Sequence, residues 1–324
     1  MKKILFIGTG GTISCGHTDS GLAPALCTEE LLTLIPQIRE VCNISAVQPF
    51  ALDSTNMSPK EWITIVKIIK DNYDSFDGFV IAHGTDTMAY GAAALSCLIQ
   101  GSPKPVIFTG SQLSPSVPNS DVKRNLQDAF LCAVHNGAHG VAVVFSGRVI
   151  DGRCASKLYT RELDAFRSIN CDDIGTITKD GEVSFKAKAP DSRPVFFDRL
   201  DSRVAIIKLT PAAPLGIFDI EGARAVIIES YGAGGLPMIY ESKLSELITK
   251  GICVIMGTQA IFGGSNLALY RVGRVVKERF GLIEIGAMTA EYAVMKAMWA
   301  LAYSKDNKDF KRLFAENIKG DNYA

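Results

Sequence analysis

The stretch GFVIAHGTDTMAYGAAALSCL, residues 78 to 98, runs an apolar segment into His-Gly-Thr-Asp-Thr and then into an alanine-rich segment. The apolar run reads as a strand and the alanine-rich run as a helix beginning near Thr87, so the polar joint sits where a strand ends and a helix starts. A helix start leaves its first backbone N–H groups without intrahelical partners, and Thr85 and Asp86 are residue types that cap them. Capping accounts for one polar residue, whereas this joint holds three beside a histidine. The same N–H groups and helix dipole stabilise negative charge, so an oxyanion or a substrate carboxylate is suited to rest there. A threonine hydroxyl at such a place can serve acyl transfer once a base removes its proton. No histidine pairs obviously with a hydroxyl and there is no G-x-S-x-G elbow, which leaves lysine; Lys157 in CASKLYT is the candidate. His83 is read as shaping the strand end by hydrogen bonding.

Outward from the joint, the runs KILFIG, FVIAHG, PVIFTG and GVAVVFSG each end in glycine or a small polar residue, and amphipathic segments separate them. SPKEWITIVKIIKDNY reads as a helix with Ser58 as N-cap and Pro59 at its first position, and SDVKRNLQDAFLCAVHNG as a helix ending at glycine. VAIIKL, AVIIES and ICVIMG restart the alternation, with helices expected near 241–249, 289–303 and 307–317. The rhythm is βαβ. It predicts an α/β protein with a larger N-terminal parallel-sheet α/β domain over 1–185, carrying the site, joined by a charged, proline-containing linker over 186–203 to a smaller C-terminal α/β domain over 204–324. Ligands of parallel sheets gather beyond the carboxyl ends of the strands, which directs attention to GTGGTIS (8–14), LDSTNMSP (52–59), HGTDTM (83–88), TGSQ (109–112) and RCASKLYT (153–160). GTGGT is not a dinucleotide fingerprint, because Gly8-x-Gly10-x-x-Ile13 lacks the third glycine and ISCGHTDSGLAPAL reads as a mobile polar loop rather than a helix.

Bulk properties narrow the chemistry further. With 34 basic and 34 acidic side chains among 324 residues, no net field draws the chain toward nucleic acid or an anionic membrane. No segment approaches the roughly 20 apolar residues of a membrane span, and MKKILFIGTGGT has too short an apolar run for a signal peptide. The eight cysteines form no CxxC pair and several lie in apolar runs, as small hydrophobes do in a reduced cytoplasmic setting. His135 and His139 straddle a helix end, which argues against a metal site there.

TGGTI at 9–13, DSTNM at 53–57, HGTDTMAY at 83–90, TGSQ at 109–112, SD followed by Asn125, and ASK at 155–157 together resemble the bacterial-type L-asparaginases, in family order. YGAGG (231–235), TQ (258–259), YRVGR (270–274) and MTAEYAVMK (288–296) extend the resemblance over nearly the whole chain, and the cytoplasmic type I branch is the nearest pattern. The resemblance implies hydrolysis of L-asparagine to L-aspartate and ammonia, as in asparagine catabolism, through a threonine nucleophile and an acyl-enzyme, with glutamine as a minor second substrate. It implies Thr12 as the nucleophile and Thr85 as the second catalytic threonine, with Lys157 and Asp86 as its partners. Ser54 is implied for the substrate α-carboxylate, Asp86 for its α-ammonium, and backbone N–H groups at Thr85 and near Ser111 for the oxyanion. It implies no metal or organic cofactor, and a homodimer or homotetramer in which the Tyr231 turn reaches a partner's site.

Two departures mark this chain. The loop after TGGTI often bears a tyrosine that orients the nucleophile, yet no tyrosine lies between Thr12 and Glu40, and Leu22 stands at the aligned place. Thr55 replaces a glutamine common in secreted members, which bears on the choice between asparagine and glutamine. Two alternatives share the motifs. The amidase component of an archaeal transamidosome also carries HGTDTM, usually after an extra N-terminal domain, whereas TGGTI starts here at residue 9. A non-catalytic amino-acid sensor would be expected to have lost a threonine or the lysine.

Overall fold

The computed structural model describes residues 1–18, 21–24, 26–186 and 190–318. The chain divides into two compact units, Met1–Asp198 and Arg199–Ala324.

In the first unit, the strands Asn43–Val47, Lys3–Gly8, Gly78–Ala82, Pro105–Thr109 and Gly140–Phe145 lie side by side in that order, all parallel. Alternate residues face opposite ways. Ile4, Phe6, Val80, Ile107 and Val144 meet Leu126, Ala129 and Phe130 of the Val122–Val134 helix in one cluster. Phe79, Ile81 and Phe108 face the other side, toward the helices Pro59–Asn72 and Met88–Leu98. Each large apolar side chain buried this way stabilises the fold by about 1.5–3 kcal/mol. The Pro59–Asn72 helix starts as expected: Ser58 caps it, Pro59 occupies its first turn, and Glu61 closes the capping box. Ten of the eleven residues of Met88–Leu98 are buried, so the alanine-rich segment is a core helix with no solvent face.

The sheet continues beyond its parallel part. The expectation that GVAVVFSG leads into a helix is corrected: Ser146 (φ 50°) and Gly147 (φ 77°) both take left-handed backbone, the requirement of a two-residue hairpin turn, and the chain returns antiparallel as Arg148–Asp151. The short strands Gly175–Ile177 and Val183–Phe185 complete the eight-stranded sheet, also antiparallel. The stretch expected to be a mobile loop contains the strands Cys15–Thr18 and Gly21–Pro24, paired antiparallel; residues 19, 20 and 25 of it lie outside the described residues. Within 186–203, read as a linker, residues 187–189 lie outside the described residues, and Val195–Phe196 pairs back onto Ile99–Gln100.

Cys154 and Cys171 correct the reading of the cysteines as unpaired hydrophobes. They form a disulfide with Cα atoms 6.5 Å apart across a sequence separation of 17. The strands Ala155–Lys157 and Phe166–Ser168 form an antiparallel pair, which places a residue just before the first near one just after the second. Cys42, Cys132 and Cys253 are buried free thiols as expected.

The second unit is a parallel four-stranded sheet, Val204–Lys208, Ala225–Ser230, Cys253–Thr258 and Ile283–Glu284 in order. Its helices include Glu241–Thr249, Ala290–Tyr303 and Asn307–Ala315, at the expected places, and Arg271–Phe280 in addition. Among the described residues no helix is long and apolar enough to cross a membrane.

Candidate active site

Strand order alone brings three of the polar turns together, because Lys3–Gly8, Gly78–Ala82 and Pro105–Thr109 are consecutive and parallel and their carboxyl ends lie at one edge. Glycines then remove what would hold the turns apart. At Gly11 (φ 83°) a Cβ would fall 2.3 Å from Gly84 Cα, so the TGGT and HGT turns touch backbone to backbone. At Gly10 (φ 101°) it would fall 2.4 Å from the Leu52 carbonyl oxygen, and at Gly84 2.6 Å from both Cβ and Oγ of Ser54. Real Cβ atoms do not approach so closely, and an L side chain resists the φ values of Gly10 and Gly11. The Leu52 N–H donates to the Thr9 carbonyl at 2.9 Å, continuing the strand pairing into the DST turn. Thr12 follows Gly11 and Thr85 follows Gly84, so the glycine contact fixes the relation of the two threonine-bearing turns.

Thr85 is 5 % exposed. Its Oγ1 accepts a hydrogen bond from Lys157 Nζ at 2.8 Å and donates to Gln112 Oε1 at 3.2 Å. Lys157 Nζ also donates to Asp86 Oδ1 at 2.7 Å, as an ion pair whose carboxylate faces solvent. One ammonium therefore holds a hydroxyl and a carboxylate from adjacent residues. An ammonium aimed at a hydroxyl oxygen stabilises negative charge as it develops there. Lys157 reaches this place from the Ala155–Lys157 strand, three residues after Cys154.

The remaining candidates are distributed as follows. Thr12 opens a short 3-10 turn, Thr12–Ser14, directly after Gly11. Ser54 is 3 % exposed, packs on Gly84, and its carbonyl accepts from Thr87 Oγ1 at 2.8 Å. Thr55 is exposed and turns its hydroxyl onto Asp53 Oδ1 at 2.9 Å, the same oxygen that caps its own N–H. Ser111 is fully buried with its hydroxyl on the Leu113 carbonyl at 2.7 Å, which leaves only its backbone to face a ligand. Leu22 pairs its backbone with His17, and its side chain is outside the described residues. Thr87 is the N-cap of the Met88–Leu98 helix, so Thr85 and Asp86 lie just ahead of the cap.

Three supporting residues carry no role that the sequence alone assigns. Gln112 Oε1 accepts the hydrogen bond from the Thr85 hydroxyl and is itself held, its Nε2 donating to the Glu162 carbonyl at 3.1 Å and the Tyr159 carbonyl at 3.4 Å. Asp121 accepts from the backbone N–H groups of Gln112 (2.9 Å) and Leu113 (3.0 Å). Asn125, fully buried, donates to the Gly110 carbonyl (2.9 Å) and Asp121 (3.0 Å) and accepts from the Ser146 N–H (3.0 Å), tying together the turn at 110–113 and the hairpin at 146. The SD…N pattern and the TGSQ glutamine are visible in sequence as motifs, but their targets are backbone atoms far along the chain. His83 is fully buried; its Nδ1 bonds the Gly84 carbonyl at 2.7 Å, and desolvation drives its pKa from the usual value near 6.5 down to about 4, so the ring is neutral. No group of three or more metal-ligating side chains occurs among the described residues.

Both halves of the chain match known proteins. Residues 3–191 match the family model "Asparaginase, N-terminal" and residues 203–314 match "Glutaminase/Asparaginase C-terminal domain". An L-asparaginase of Thermococcus kodakarensis is 38 % identical over 98 % of each chain, and a solved thermostable L-asparaginase from that organism superposes with a TM-score of 0.90 at 37 % identity, again over 98 % of each chain. A component of the glutamyl-tRNA(Gln) amidotransferase of Pyrococcus furiosus is 34 % identical over 99 % of this chain and 77 % of its own length. The solved structure of a probable cytoplasmic L-asparaginase from Campylobacter jejuni gives a TM-score of 0.84 at 26 % identity, covering 98 % of this chain and all of that one. On matches that span both units, the chain belongs to the asparaginase family.

Proposed function

We propose that this protein is an L-asparagine amidohydrolase acting through Thr12, Thr85, Asp86 and Lys157. The observation that carries the reading is the Lys157 ammonium seated on both Thr85 Oγ1 and Asp86 Oδ1, beside a glycine contact that brings the Thr12 turn against the Thr85 turn.

Asparagine is a small zwitterion, and the site offers a carboxylate at Asp86 for its ammonium and the buried Ser54 for its carboxylate. Thr12 Oγ attacks the side-chain amide carbon while its proton is relayed through the Thr85 hydroxyl to the departing amide nitrogen, and the Lys157 ammonium stabilises the negative charge that develops on Thr85 Oγ1. The oxyanion is stabilised by the Thr85 N–H and the backbone near Ser111. Each such donor contributes about 2.7–4 kcal/mol to the transition state. Ammonia leaves after protonation, and a water activated by Thr85 opens the Thr12 ester to release aspartate. No step calls on a metal or organic cofactor.

Steady-state ammonia release by the isolated chain tests the reading, with L-asparagine and then L-glutamine. Saturable turnover of asparagine exceeding that of glutamine is expected; no turnover of either up to high millimolar concentration contradicts it. The amidotransferase relatives support a second reading, in which the same site supplies ammonia to a partner enzyme. Turnover of free asparagine without any partner separates the two.

The protein is expected to act as a homodimer or homotetramer in the cytoplasm. A cavity of about 300 Å³ in the second unit is lined by Tyr231, Leu236, Pro237, Leu267 and Tyr270. Met238, Ile239, Leu269 and Tyr270 beside it are each 61–76 % exposed, an apolar surface suited to a second copy. Light scattering checks the assembly. The Cys154–Cys171 bond opposes a reduced setting, so alkylation after acid quench of whole cells tests the compartment; two additional blocked thiols in the protein from untreated cells support the cytoplasmic placement.

A further inference from the structure

Two buried polar atoms lie close to the Met88–Leu98 helix that follows the Thr85 turn. His83 is fully buried and Trp62 is 5 % exposed, and neither His83 Nε2 nor Trp62 Nε1 has a hydrogen-bond partner among the described residues. Both face the same spot on the Met88–Leu98 helix. A Cβ added at Gly91 would stand 3.1 Å from Trp62 Nε1 and 3.3 Å from His83 Nε2. A neutral imidazole carries its proton on one ring nitrogen only. Nδ1 lies 2.7 Å from the Gly84 carbonyl, which can only accept. The proton therefore sits on Nδ1, which leaves Nε2 bare.

The consequence falls on the next residue. The Gly84 carbonyl and the Thr85 N–H belong to one planar trans peptide and point in opposite directions, so holding the oxygen aims the N–H. Gly84 lacks a side chain and is squeezed between Ser54 and Gly11, so its own backbone preferences do little to fix that plane.

We propose that His83 is a positioning residue whose Nδ1–H, by holding the Gly84 carbonyl, fixes the orientation of the Thr85 N–H that receives the oxyanion. The inference rests on the amidohydrolase reading for the oxyanion and on the structure alone for the tautomer. His83 touches no substrate and acts only through the Gly84 carbonyl.

The test uses two amide variants. In His83→Asn, Nδ2 stands where Nδ1 stood and can still donate to Gly84; in His83→Gln, the amide nitrogen stands at the Nε2 position and the donor to Gly84 is lost. His83→Asn is expected to keep kcat for asparagine within about threefold of the wild type, whereas His83→Gln loses roughly 10–100-fold in kcat with little change in KM, because the aimed N–H acts on the transition state. Melting temperatures of the two variants are compared so that a general loss of packing, which would fall on both, is recognised. Nitrogen-15 spectra of the ring in the full-length protein are expected to show Nδ1 protonated and Nε2 bare. Equal kcat losses in the two variants, or a ring protonated on Nε2, overturn the proposal. A wild type that releases no ammonia from asparagine overturns the catalytic part together with the amidohydrolase reading, and the ring spectrum then still decides whether His83 holds Gly84.

Discussion

Lys157 divides its hydrogen bonds between a buried hydroxyl and an exposed carboxylate, and the two are unequal in consequence. The exposed ion pair with Asp86 contributes no more than about 1 kcal/mol to stability, whereas the bond to Thr85 Oγ1 lies on the proposed proton path. Lys157→Met is therefore expected to lower kcat by roughly 10²–10⁴-fold while moving the melting temperature by only a few degrees, measured by ammonia release and thermal unfolding on the same preparation. Gly11→Ala is expected to behave in the opposite way, costing both. Its Cβ would meet Gly84 Cα at 2.3 Å at a φ of 83°, and relief can come only from separating the turns, so a loss of roughly 3 kcal/mol of stability should accompany near-complete loss of activity. Residues such as these were legible because their identity states their function: a glycine pair at a strand end and a hydroxyl beside a carboxylate at a helix start. Gln112 was not, since a glutamine in a turn says nothing of the Thr85 hydroxyl it will meet.

At the level of elements, the parallel strands and the Pro59–Asn72 helix could be read because each carries its signal locally, as an apolar run or as a cap with proline and glutamate in fixed places. The antiparallel edge strands could not. Gly175–Ile177 and Val183–Phe185 are three residues each, too short for a period to show, and are defined by their partners. The hairpin carrying Lys157 is of the same kind, and its closure by Cys154 and Cys171 emerges only once Ala155 is paired with Ser168. A cross-link closing a loop of that size stabilises by about 3 kcal/mol. Thermal unfolding with and without reductant, compared with Cys154→Ser, should show that loss in the wild type and no reductant effect in the variant. Asn125→Ala should likewise reach the site from a distance. It removes three bonds that hold the turn at 110–113 and the hairpin at 146, and a cost of about 2–4 kcal/mol is expected in denaturant unfolding, with kcat falling because Gln112 is displaced.

For the molecule as a whole, acid stability reports the buried groups. His83 has its folded pKa depressed to about 4, so between the unfolded value near 6.5 and about 4 the unfolded chain binds the extra proton, and stability falls as pH falls through that window. Asp128 works in the opposite sense: desolvation raises its pKa to about 6 against the pull of Arg124, so the folded state holds the extra proton and stability is lost as pH rises from about 3.8 to about 6. The two partly cancel in the wild type. In His83→Asn only the Asp128 contribution remains, and the stability difference between that variant and the wild type should shift by on the order of 3 kcal/mol in favour of the variant between pH 6.5 and pH 4, read by urea unfolding at each pH. The proposed chemistry is tested most directly by trapping the covalent intermediate. The wild-type enzyme mixed with L-asparagine, quenched in acid within the first turnover and digested should yield an aspartyl ester on the peptide containing Thr12. An enzyme that releases ammonia yet never carries that adduct, or carries it on Thr85 instead, would contradict the assignment of Thr12 as nucleophile.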